Sequence, residues 1–195
     1  PALEWGECQI KAHVLTAKQP QFDLLETFCW RPEQEKDSGY VLLHEHLSRL
    51  ALSAEYFNYK FDRQAVVAKL ISEASQLSLL PHRVRLLLRK NGDLELTSKV
   101  MSELPAPYRV IFAHKPVSRK NHFLYHKTTE RKAFEQALAQ LNEIAEDVIW
   151  YNEEDEITES CIANLFVDFG GGKLATPPVA CGLLPGVMRQ RLLDE

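Results

Sequence analysis

Cysteine is scarce in this 195-residue chain: Cys8, Cys29, Cys161 and Cys181 are widely spaced, form no CxxC pair and share no metal-ligand spacing with histidine. That excludes a disulfide scaffold and a cysteine–histidine metal centre, and it fits reduced thiols in the cytoplasm. No apolar run approaches the ~18 residues a membrane span requires, and no signal peptide or lipidation motif is visible, so neither secretion nor membrane insertion is expected. A basic excess is also lacking. The 23 Lys and Arg against 27 Asp and Glu give a net charge of -4, and the pI is about 6.0. This balance argues against a general nucleic-acid binder while leaving small anions to local basic pockets. Internal repeats and low-complexity tracts are absent. What the chain does have is 45% apolar residues, enough to bury a sizeable core in one large domain or two small ones.

The hydrophobic pattern predicts an α+β fold. Residues 20–113 read as a small α+β domain that begins with a strand over Phe22 to Trp30, a polar loop over Arg31 to Gly39, and a second strand leading into a helix. Leu43, Leu47, Leu50, Ala51 and Ala54 recur at helical spacing, and Asp62 is placed to cap a further helix carrying Val66, Leu70, Ile71 and Leu77. Asn91-Gly92 between apolar runs predicts a hairpin, and Tyr108 to Ala113 a further strand. Residues 114–126 have no clear period and read as an interdomain linker. Residues 127–195 form a second domain, in which Ala133, Phe134, Ala137, Leu138, Leu141 and Ile144 mark an amphipathic helix. Strands are expected at Val148 to Tyr151 and around Asn164 to Val167, and Gly170 to Gly172 closes a tight turn.

Two strings carry the chemistry: Tyr125 to Arg131 (YHKTTER), with Lys127 before a helix, and Ile157 to Phe166 (ITESCIANLF), with Glu159 before a strand. Downstream lie Ala175 to Pro178 (ATPP) and Cys181 to Arg189 (CGLLPGVMR), where Gly186, Val187 and Met188 lead into a helix; upstream, His46 to Leu50 reads HLSRL. Taken singly, each has an ordinary reading: Lys127 a solvated lysine, Glu159 a charged strand residue, Arg49 the polar face of a helix, Leu184-Pro185-Gly186 a turn. Their order and spacing together, over roughly residues 22–192, resemble the class IV aminotransferases, the fold-type IV pyridoxal phosphate enzymes. Within them the chain looks most like the 4-amino-4-deoxychorismate lyase branch, on the strength of Glu7 to Ala12, Phe22 to Thr27 and Phe123 to Thr129.

The resemblance implies a small α/β sandwich domain followed by a larger β-pseudobarrel domain, and a bound pyridoxal 5'-phosphate. Lys127 is implied as the covalent tether and proton carrier, and Glu159 as the acid facing the pyridine nitrogen. Arg49 and the amides near Gly186, Val187 and Met188 are implied to bind the phosphate, and Leu184 to pack on the ring. Many aminotransferases of the family have threonine at the Met188 position, so only main-chain donation carries over there. Arg85 is the candidate for a substrate carboxylate, with Thr27 lining the same pocket; strand alternation serves an outward-facing arginine equally well. Arg119, Lys120 and His122 are read as a solvated basic loop that could also approach substrate, and His44 and His46 as helix-surface residues.

The implied reaction converts aminodeoxychorismate to 4-aminobenzoate and pyruvate in folate biosynthesis. Two alternatives stand beside it: a branched-chain or D-amino acid aminotransferase on the same fold, and a non-catalytic dimerisation or support module. The resemblance further implies a homodimer and a fused or associated aminodeoxychorismate synthase component I and glutamine amidotransferase, with residues 1–19 as the junction remnant. Relatives extend several tens of residues beyond the Pro-Gly-x-x-Arg motif, so the second domain is expected to be incomplete at Glu195.

Overall fold

A computed structural model describes residues 20–34, 36–141 and 145–195. The expected junction segment 1–19 and Ile144 lie outside them.

Strand β1 (Leu24–Trp30) sets the plan of the first unit. Its pleat sends Leu24, Glu26, Phe28 and Trp30 to one face and Leu25, Thr27 and Cys29 to the other. Helices α1 (Leu43–Phe57) and α2 (Arg63–Ala74) cover the first face, bringing Leu47, Leu50, Val66 and Leu70 onto Phe28 in one buried cluster. Each such side chain contributes roughly 1.5–3 kcal/mol by leaving water. Asp62 does cap α2, its carboxylate accepting from the amides of Gln64 (2.8 Å) and Ala65 (3.1 Å).

Strands β2 (His82–Leu88) and β3 (Leu94–Val100) complete an antiparallel sheet of order β1-β2-β3. They join at the expected Asn91-Gly92 turn, where Gly92 takes φ +97. Val84, Leu86 and Leu88 join the core, which leaves Arg83 and Arg85 on the uncovered face, Arg85 opposite Thr27.

The second strand expected before α1 is reduced to a single bridge between Trp30 and Tyr40. Left-handed backbone at Asp37, Ser38, Gly39 and Leu42 breaks the extension on both sides of it.

Strand β4 (Val110–Phe112) runs parallel to β5 (Asp147–Tyr151), and β6 (Ile157–Ser160) pairs antiparallel with β5, giving a second sheet of order β4-β5-β6. The Tyr108 to Ala113 strand therefore pairs with the later elements rather than with β1–β3. Helix α3 (Lys132–Ala139) packs on this sheet through Phe134, whose ring centroid lies 4.9 Å from that of Trp150. It ends before Leu141 because the Gln140 amide is shared between the Gln136 and Ala137 carbonyls and the Leu141 amide bonds to Leu138 three residues back, tightening the last turn out of α geometry.

Near the end of the chain, β7 (Val167–Asp168) and β8 (Leu174–Ala175) form a short hairpin around the three glycines, and α4 (Val187–Asp194) follows. The strand expected over Asn164 to Val167 survives only in β7, because Asn164 turns instead to bridge Glu159. The two units are stitched along β1: the Leu25 amide donates to the Lys127 carbonyl and the Thr129 amide to the Asp23 carbonyl, both at 2.9 Å. Among the described residues, no helix is long and apolar enough to cross a membrane.

Candidate active site

The uncovered face of the first sheet forms one wall of a cleft of about 730 Å³, whose lining includes Thr27, Arg49, Arg85, Lys127, Glu159, Leu184, Gly186, Val187 and Met188. All nine residues singled out in the sequence thus meet at one opening. Lys127, Glu159 and Leu184 also line a smaller cavity of about 240 Å³ reaching toward Phe134 and Cys161.

Pairing with β1 places the backbone at Lys127, whose carbonyl accepts from the Leu25 amide beside the Leu24–Thr128 bridge. Lys127 is half-buried in the wall of the cleft. Loss of hydration pushes its pKa down to about 8, with the Arg49 cation adding to the effect while Glu26 and Glu159 partly offset it. Near neutral pH an appreciable share of such an amine is unprotonated, which a nucleophile and proton carrier requires.

Glu159 is 7% exposed. Burial pushes its carboxyl up to about 7, against the opposing pull of the Leu184 amide and of Lys127. Its Oε1 accepts from the Leu184 N–H at 3.1 Å and its Oε2 from Asn164 Nδ2 at 3.1 Å. A carboxylate held in this way has a strong electrostatic need for a cation in the cleft.

Arg49 is fixed by a residue that sequence reasoning missed. Glu26, 1% exposed on the core face of β1, accepts from Arg49 Nε at 2.9 Å and Nη2 at 2.7 Å, a two-point ion pair. Burial alone would raise Glu26, but Arg49 together with the hydrogen bond from His46 holds it down at about 2. His46 Nδ1 lies 2.8 Å from Glu26 Oε2 and its side chain is only 13% exposed, which corrects its reading as a helix-surface residue. His46 and Arg49 lie one turn face apart on α1 and converge on the same acid. The period-2 parity of β1, which puts Glu26 in register with Leu24 and Phe28, was the available signal.

Arg49 Nη1 also donates to the Pro185 carbonyl at 3.2 Å, just before the N-terminus of α4. The N-cap of that helix is Gly186, which has no side chain to cap it, and Val187 and Met188 line the cleft at the positive end of the helix dipole. The Arg119, Lys120 and His122 cluster is not part of this lining. The Arg119 guanidinium pairs with Glu154, and the His122 ring packs on Phe123. Arg131 and Asn164, which were not singled out, do line the cleft. Arg131 donates to the Cys161 carbonyl, and its guanidinium carbon stands 5.4 Å from the Phe134 ring centroid.

The arrangement presents a half-buried amine, an acid lining the same cleft, an oriented guanidinium and a helix N-terminus with no side-chain cap. The family model described as amino-transferase class IV matches residues 23–195. A Schizosaccharomyces pombe protein named "Putative aminodeoxychorismate lyase" is 33% identical over 165 residues, covering 82% of this chain and 70% of that protein. Among solved structures, a "Putative amino-acid aminotransferase" from Mesorhizobium loti matches with a TM-score of 0.80 at 36% identity, over 89% of this chain and 83% of that one. A hypothetical aminotransferase from Mycobacterium tuberculosis, in its α-ketoglutarate- and PMP-bound form, shares the fold at 20% identity with a TM-score of 0.67, over 88% of this chain and 66% of that one. With the family model covering nearly all of the described residues, this chain belongs to the class IV aminotransferases.

Proposed function

We propose that the chain is a pyridoxal 5'-phosphate-dependent lyase that converts 4-amino-4-deoxychorismate to 4-aminobenzoate and pyruvate. The observation that carries the cofactor reading is the convergence of the half-buried Lys127 amine and the buried Glu159 carboxyl on one cleft whose rim ends in an uncapped helix. The donor set fits a phosphorylated pyridine aldehyde. Arg49 and the amides of Val187 and Met188 would hold its phosphate, Lys127 its aldehyde carbon, Glu159 its ring nitrogen, and Leu184 one ring face. At Gly186 a β-carbon would overlap the Asn164 carboxamide oxygen, so the backbone there packs directly against Asn164. PMP, the amine form of the same cofactor, is bound by the M. tuberculosis fold neighbour.

When bound, the cofactor supplies an electron sink for the charge left by loss of a proton next to the substrate amine. Lys127 Nζ carries that proton: an amine with a pKa of about 8 can both accept and return it near neutral pH. Glu159, when ionised, would favour the protonated form of the ring nitrogen it would hold. Arg85 and Thr27, paired across β1 and β2 on the cleft face, would bind a substrate carboxylate. Loss of the ring proton and departure of the enolpyruvyl group leave an aromatic product, so elimination is downhill and the protein mainly has to position its reactants.

The lyase reading rests on the S. pombe relative. The M. loti structure favours a second reading, amino transfer between amino and keto acids on the same site. Incubation with aminodeoxychorismate separates the two. Release of 4-aminobenzoate with an equal amount of pyruvate supports the lyase; amino transfer from glutamate or alanine to keto acids, with no aromatic product, would refute it. A homodimer, synthase or amidotransferase partners and a role in folate biosynthesis belong to the same proposal, and size-exclusion chromatography with light scattering tests the first of these.

A further inference from the structure

Asn164 is absorbed by none of the roles above, yet it lies at the centre of the site. Its Nδ2 donates to Glu159 Oε2 at 3.1 Å and to the Leu184 carbonyl at 2.9 Å, while the Leu184 amide donates to Glu159 Oε1 at 3.1 Å. Three groups therefore close a ring of hydrogen bonds, and both amide hydrogens of Asn164 are used. The Asn164 oxygen points the other way, into the space a side chain at position 186 would fill. Gly186 has φ -67 and ψ 138, backbone that any L-residue adopts, so its glycine is required by Asn164 and not by its own torsion angles.

We propose that Asn164 is a positioning residue: one carboxamide aims the Glu159 carboxylate into the cleft, fixes Leu184 beside it, and sets the spacing between that acid and the α4 N-terminus. The inference rests on the reading of Glu159 as the acid facing the cofactor nitrogen. Both ends of one ligand are then located by one side chain, which makes the acid-to-helix distance a built dimension of the site. Asn164 also donates to the ionised form of Glu159, so it favours that form.

The test measures pyridoxal phosphate affinity of the full chain by fluorescence titration, across pH, for Asn164→Ala and Asn164→Ser in the native and Glu159→Gln backgrounds. The expected loss in the native background is about tenfold near pH 7, the usual worth of a charge-assisted hydrogen bond, shrinking at higher pH as Glu159 ionises without help. Serine, which keeps one donor, should fall between asparagine and alanine. In the Glu159→Gln background the pH dependence of the loss should vanish. A loss equal at every pH, or equal in both backgrounds, marks Asn164 as merely structural and overturns the proposal. If Glu159→Gln itself leaves affinity and the absorption band of the bound cofactor unchanged, the reading of Glu159 fails instead, and the two failures are distinct.

Gly186 gives an independent arm should Asn164→Ala not fold. Gly186→Ala should weaken binding by displacing the carboxamide, and adding Asn164→Ser, whose shorter side chain clears the new methyl, should bring binding back to the level of Asn164→Ser alone. No restoration would contradict the assignment.

Discussion

Removing the charge at position 159 should stabilise the protein when no cofactor is bound. Glu159 is held neutral up to a pKa of about 7 by burial, against 4.5 for an ordinary glutamate. A carboxyl raised on folding keeps its full share of stability below the unfolded value and loses it as pH rises through the folded one. The window therefore runs from about 4.5 to about 7, and a shift of that size corresponds to about 3 kcal/mol. Glu159→Gln is nearly isosteric and has no proton to lose. Urea unfolding of the cofactor-free protein should show wild type and variant close together near the low end of that window. By the upper end the variant should be ahead by up to about 3 kcal/mol, less whatever the Asn164 and Leu184 donors lose with a neutral acceptor. Pyridoxal phosphate should reverse the order, because its ring nitrogen supplies the missing cation. A gap independent of pH, or a variant weaker than wild type throughout, would refute the claim that Glu159 is buried at a net electrostatic cost.

Lys127→Met should act in a different window. An amine depressed to about 8 from 10.5 costs stability while charged in the fold, so wild-type stability should rise by up to about 3 kcal/mol between those values and the variant should lack that rise. Borohydride reduction should fix cofactor to wild type and leave the variant unlabelled, as mass spectrometry would show. Glu26 lies in a third window: its carboxyl, lowered to about 2, contributes stability that is present above 4.5 and lost as pH falls through about 2. Glu26→Gln should cost about 3–5 kcal/mol at neutral pH by leaving Arg49 buried without its partner, and should raise the dissociation constant for pyridoxal phosphate more than that for unphosphorylated pyridoxal. Asp62→Ala should lower stability by about 1 kcal/mol through loss of the α2 cap, with cofactor affinity unchanged.

The first unit was legible because each of its elements follows a short-range rule. Alternation wrote β1, the Leu43 to Ala54 spacing wrote α1, Asp62 capped α2, and Asn91-Gly92 turned β2 into β3. The cleft could be located in sequence through Lys127, Glu159 and the Gly186 turn, whose order is characteristic. What stayed hidden depends on pairing at a distance. Nothing local to Glu26 says that it meets Arg49, and its burial follows only once β1 has chosen which face α1 covers. Asn164 sits among strand-like residues but is pulled out of that pattern by Leu184, twenty positions later. β4 reads as a late strand of the first unit and joins β5, since parallel pairing leaves no turn signature to betray its partner.

One consequence of the bond between Leu25 and Lys127 concerns how the cleft holds its shape. The Lys127 amine is borne by a peptide sewn onto the border of the first sheet, whereas Glu159, which lines the same cleft, is carried by β6 in the second. Any slippage between the two units therefore alters the gap across which a ligand must stretch. A substitution that loosens this seam, at Thr129 for example, whose hydroxyl accepts from the Asp23 amide, would widen or narrow that gap without removing any of the groups that line it.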